Sequence, residues 1–61
     1  MTTTVQDIIA KLTIEDVLAY ELTNEKHLFV TDMLDMADLP RRDSYIVRIE
    51  NALEALSDAL I

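Results

Sequence analysis

The sequence predicts an all-α fold, a small bundle of three helices with the first broken at Thr13, completed by dimerisation. Three observations lead there. Apolar residues recur at helical rather than alternating spacing along most of the chain. The sequence contains no glycine and a single proline, so little interrupts those patterns. Hydrophobic residues fill 51% of only 61 positions, and a chain this short hides only about 60% of the surface its unfolded form exposes. Small domains compensate with disulfides, metals or association. There is no cysteine, and one histidine makes a zinc site a poor prospect. Association with a second copy or another protein is the remaining route, and we expect a homodimer.

The first helical segment is marked by Val5, Ile8, Ile9 and Leu12, which share one helix face. Thr3 stands three residues before Gln6, the spacing of a capping box. Asp7 and Lys11 form a favourable i, i+4 pair. The register then slips, because a continuing helix would place Glu15 and Asp16 on the apolar face. Ile14, Val17, Leu18 and Leu22 begin a new register, and Thr13 with Asp16 resembles a second N-terminal cap. A break at Thr13 is expected, with one bent helix from Val5 to Leu22 as the alternative.

Thr23 or Asn24 is placed to cap a helix running through Leu39, with Glu25 in its first turn. Phe29, Val30, Met33, Leu34 and Ala37 form its main apolar face. Leu28, Met36 and Leu39 widen that face and predict contact on more than one side. Pro40 ends the segment, since the residue before a proline avoids helical geometry. Leu39-Pro40-Arg41-Arg42 is therefore a connection. Asp43 or Ser44 caps the last helix, from about Tyr45 to Leu60. Its seam of Ile46, Ile49, Leu53, Leu56 and Leu60 alternates in steps of three and four. These five residues are assigned to self-association or core packing, two roles that demand the same spacing. Nothing divides the chain, so residues 1–61 make one helical domain.

Twelve acidic and five basic residues give a formal charge of −7, which repels nucleic-acid phosphates and anionic membranes. It suits a partner with a basic surface, or solubility alone. Arg41, Arg42 and Arg48 cluster near the start of the last helix, and Glu50, Glu54 and Asp58 run down its outer side. Both placements oppose the helix dipole, and the acids repel at i, i+4. An antiparallel pairing of two such helices would bring the arginines of one copy to the acids of the other. The bland alternative is a set of solvated surface charges.

The residue types needed for catalysis are nearly absent. His27 lies on the polar side of its helix, without an evident base or nucleophile beside it. Asp32, Asp35 and Asp38 recur every three residues, which is not the spacing of a calcium loop. We expect no catalytic residue, cofactor or metal. Met33 and Met36 suit either core filling or an adaptable surface. The sequence has neither a signal-peptide pattern at its start nor an apolar run long enough to span a bilayer, so a cytoplasmic protein is expected.

The expected function is non-catalytic protein–protein interaction, by a small acidic adaptor, accessory subunit or inhibitor of a larger protein, nucleic-acid-binding proteins included. Asp32, Asp35, Asp38, Glu50, Glu54 and Asp58 are the expected partner surface, where carboxylates on a helix can imitate phosphate spacing. The alternative is a helix-turn-helix DNA-binding regulator using residues 13–39. That reading is weakened by Glu25, Asp32 and Asp35 on the reading helix, where only Lys26 is basic.

Overall fold

The computed structural model describes residues 3–60 and, across them, is all-helical. Four helices pack against one another: α1 (Val5–Ala10), α2 (Ile14–Leu22), α3 (Lys26–Met36) and α4 (Asp43–Ala59). The break expected at Thr13 is present, and the single bent helix is excluded. Dimensions are 34 × 22 × 18 Å.

The break has a local cause. Thr13 is extended, its hydroxyl accepts the Asp16 N–H at 3.2 Å, and the Asp16 carboxylate accepts the Thr13 N–H at 3.0 Å. This reciprocal box satisfies two backbone donors at the helix start. The same device opens α1, one residue later than expected. Thr4 rather than Thr3 is the cap, and its partner is Asp7 rather than Gln6. A carboxylate is the stronger acceptor and also meets the positive end of the helix dipole. Asp7 thus turns its carboxylate to the cap, not to the Lys11 pairing expected from sequence.

The start of α3 differs from expectation. Thr23 and Asn24 stay outside the helix, which begins at Lys26 with Glu25 in the cap position and no side-chain cap. The Thr23 hydroxyl instead accepts the Glu25 N–H at 3.2 Å and holds the turn. Helix α3 ends at Met36, before the expected Leu39. Asp38 adopts φ 58°, the left-handed region. Its N–H donates to the Asp35 carbonyl at 3.1 Å and the Leu39 N–H to the Leu34 carbonyl at 2.9 Å. These two bonds form a Schellman stop, and they bring Leu39 back to pack against the core beside Leu34. Glycine is the usual residue there, but this chain has none. Aspartate is among the few other residues that tolerate the conformation.

Arg42, not Asp43 or Ser44, precedes the first turn of α4, and it too lacks a side-chain cap. Asp43 lies inside that turn, where its charge favours the dipole. The core consists of Val5 and Ile8 from α1, Val17 and Tyr20 from α2, Val30 and Leu34 from α3, and Ile46, Ile49 and Leu53 from α4. Helix α4 contacts all three others. Tyr20 and Phe29 stack edge to face, with ring centroids 5.8 Å apart. Thr31 is buried on α3, but its hydroxyl donates to the Leu28 carbonyl at 2.9 Å.

The seam of α4 divides between two environments. Ile49 and Leu53 are wholly buried, whereas Leu56 and Leu60 are 39% and 50% exposed. Leu53→Ala should therefore cost about 3 kcal/mol in urea unfolding, and Leu60→Ser less than about 0.5 kcal/mol. Equal losses would mean that the seam is buried uniformly. Asp38→Gly should stabilise the fold by roughly 0.5 kcal/mol, the relief of a left-handed residue less the added entropy of the unfolded chain. A lower urea midpoint for that variant would contradict the helix stop.

Candidate functional site

Apolar side chains collect on the outside of α2 and at the end of α4. Ile14, Leu18 and Leu22 recur every fourth residue of α2 and are 61%, 53% and 83% exposed. The opposite side of this short helix is committed to the core through Val17 and Tyr20. At the Ile14 end, Leu56, Ala59 and Leu60 of α4 meet Leu12, Thr13, Ile14 and Val17 around a shallow cleft of about 140 Å³. Leu56 and Leu60 are covered only in part there, because α4 runs on past Leu53. Of the seam assigned to self-association or core packing, Ile46, Ile49 and Leu53 are protomer core, and Leu56 and Leu60 join the surface of α2.

A larger cleft of about 340 Å³ lies between α1 and α3, lined by Ile8, Leu12, Met33, Met36 and Ala37, with Asp7, Lys11 and Asp16 at its edge. Asp7 and Asp16 are engaged there as capping residues. His27 is exposed on α3. Among the described residues, no group of three His, Asp or Glu side chains converges as a metal site. No helix of the described residues is long and apolar enough to cross a membrane.

The six acids expected to form a partner surface are not equivalent. Asp32 is exposed on α3. Asp35 accepts a fork from Arg41, whose Nε donates to Oδ1 at 3.0 Å and whose Nη2 donates to Oδ2. Asp38 lies beyond the helix, in the left-handed stop. The three aspartates therefore do not form one helical stripe. Glu54 and Asp58 are exposed on α4, while Glu50 is half-buried. Burial raises the Tyr20 phenol above its ordinary 10.0, and the negative charges of Glu50, Glu54 and Glu21 add to that effect.

The arginine cluster finds partners within the chain. Arg41 is bound to Asp35, the Arg42 guanidinium lies 5.8 Å from the Tyr45 ring centroid, and Arg48 donates to Gln6 Oε1 at 3.4 Å. Lys26 lies 5.5 Å from the Tyr20 ring centroid. Each of the three arginines thus has a contact within its own chain, and sequence spacing alone could not reveal those of Arg41 and Arg48. Arg41 reaches Asp35 only because the Asp38 stop folds the chain back.

No family model, curated protein or solved structure matches this chain.

The hydrogen bonds and charge of Arg41 hold the Asp35 carboxyl below its ordinary 3.8. A depressed folded-state value stabilises the fold above about pH 3.8 and is lost as pH falls through the folded value. Both side chains face solvent, so the effect is screened. In NMR carboxyl titrations, Arg41→Gln should raise the Asp35 midpoint toward the ordinary value. An unmoved midpoint would show that the pair does not persist in solution.

Proposed function

We propose that this protein is a non-catalytic interaction module, a small acidic adaptor, accessory subunit or inhibitor that binds a larger protein. The observation that carries this reading is unused apolar surface on a chain whose core is already complete. Val5, Ile8, Val17, Tyr20, Val30, Leu34, Ile46, Ile49 and Leu53 close the interior. Ile14, Leu18, Leu22, Leu56 and Leu60 nonetheless remain in water. Isolated exposed leucines are ordinary, but a contiguous apolar patch on a small protein favours a partner surface. The net charge of −7 favours a partner with a basic surface.

The charges and shape offer less to the helix-turn-helix reading of residues 13–39. The outward side of α3 carries Leu28, Asp32, Asp35 and Met36, a poor match to a phosphate-lined groove. Arg41 is held by Asp35, and Lys26, at the start of α3, lies over the Tyr20 ring.

The test is a pull-down from nuclease-treated native lysate, with duplex-DNA mobility shifts at low salt alongside. One protein recovered in stoichiometric amount, with no DNA retardation, is the expected result. Recovery of the bait alone, together with salt-sensitive DNA binding, would replace this reading with the regulator.

A further inference from the structure

We propose that the outer face of α2, extended by Leu56 and Leu60, is a docking site for a basic amphipathic helix of another protein. This inference rests on the interaction reading above and names the occupant of the surface.

The shape of the patch selects a helix. Ile14, Leu18 and Leu22 advance about 40° around α2 at each step and span about 12 Å along it. Such a ridge matches two or three turns of a facing helix, whose apolar anchors repeat at i, i+3 or i+4, and i+7. The cleft at the Ile14 end, walled by Leu56, Ala59 and Leu60, gives one anchor a place to insert. The exposure of Leu18 and Leu22 leaves the approach to the ridge open.

Charge selects the kind of helix. Helical geometry places Glu15 on one flank of the ridge and Glu21 on the other, and both are exposed. No lysine or arginine occurs in α2, and none follows Arg48 in the sequence. Helical geometry sets Glu54 and Asp58 on the side of α4 away from Leu56 and Leu60, so the charge that flanks the patch is that of Glu15 and Glu21. The five basic residues are Lys11, Lys26, Arg41, Arg42 and Arg48, all outside these two stretches. Lys26 lies over the Tyr20 ring on the core side of α2, Arg42 over the Tyr45 ring, Arg41 is bound to Asp35, Arg48 to Gln6, and Lys11 lines the cleft between α1 and α3. A second copy laid on this face would set Glu15 and Glu21 against their equivalents, with no cation from either α2 between them. Like charges across an interface oppose binding, whereas lysines and arginines beside an apolar stripe would meet these glutamates. The structure thus favours a partner that supplies its own cations.

The probe is a synthetic leucine–lysine amphipathic helix of about four turns. Two controls accompany it, a leucine–glutamate helix of the same register and a leucine–lysine peptide whose leucines are scattered around the helix. Titration should be followed by amide chemical shifts and calorimetry. The leucine–lysine helix should bind, shift resonances of α2 and the end of α4, and weaken several-fold as salt rises from 50 to 500 mM. Both controls should bind at least ten-fold more weakly. Leu18→Ser with Leu22→Ser should weaken binding ten-fold or more, while Leu28→Ser with Met36→Ser on α3 leaves it unchanged. Circular dichroism checks that each variant stays folded.

Equal binding of the scattered-leucine peptide, or insensitivity to the α2 substitutions, would overturn the proposal. So would a wild-type dimer in sedimentation equilibrium that the α2 substitutions dissociate, because the occupant would then be a second copy. A lysate partner retained by the α2 variant but lost when Glu50, Glu54 and Asp58 are neutralised would overturn this docking site and leave the interaction function standing.

Discussion

Ile46, Ile49 and Leu53 lie along one line of α4, and each of the other helices packs against that helix. The dependence follows from length. Helices shorter than about 12 residues are marginal in water, because nucleation is costly and few hydrogen bonds repay it. With 6 residues in α1 and 9 in α2, neither persists unless a tertiary surface captures it. Fixing Val5 and Ile8, Val17 and Tyr20, and Val30 and Leu34 against a common 17-residue helix supplies that surface three times. It also explains why the interior is fully occupied while both outer ends remain apolar. Helix α4 runs on past Leu53, so Leu56 and Leu60 continue the buried line where Leu12, Ile14 and Val17 cover them only in part.

Sharp connections are the second requirement, since three short helices must turn back within 61 residues without glycine. The chain meets it with polar side chains that bond their own backbone. Two Thr-x-x-Asp boxes start α1 and α2, the Thr23 hydroxyl holds the turn before α3, and Asp38 takes the left-handed position that ends α3. Several acids thereby have structural work that a count of surface charges would miss. Asp7 and Asp16 complete caps, Asp35 anchors the Arg41 fork, and Asp38 reverses the chain. The negative charge is in part a consequence of how a glycine-free sequence makes its corners.

The helices and the break at Thr13 were legible because apolar periodicity and Thr–Asp spacing are properties of adjacent residues. The ends of α3 were not. Whether Thr23, Asn24 or Glu25 begins a helix depends on where Phe29 must sit against Tyr20, a contact between separate elements. The stop at Asp38 was hidden by the three-residue spacing of Asp32, Asp35 and Asp38, which reads as a continuing helix face. The seam of α4 was found in full, but its division between core and surface depends on how far α1 and α2 reach along it. The surface of α2 was the least legible feature. Leu18 and Leu22 share a sequence pattern with Val17 and Ile14, and only the packing of Val17 and Tyr20 against α4 shows which side faces out.

Charge segregation connects the fold to its outer surface. A helix that is acidic and apolar on its outward side is locally unfavourable in two respects, since it exposes leucine to water and concentrates like charge. Within this molecule neither defect is relieved: the core is closed without Ile14, Leu18 and Leu22, and the arginines are turned to Asp35, Tyr45 and Gln6. Stability alone would favour lysine or glutamine on the face of α2, as on most exposed helices. A complementary surface would relieve both defects at once, covering the leucines and placing cations beside Glu15 and Glu21. Two local penalties with one common remedy set this face apart from a lone exposed side chain such as Val47.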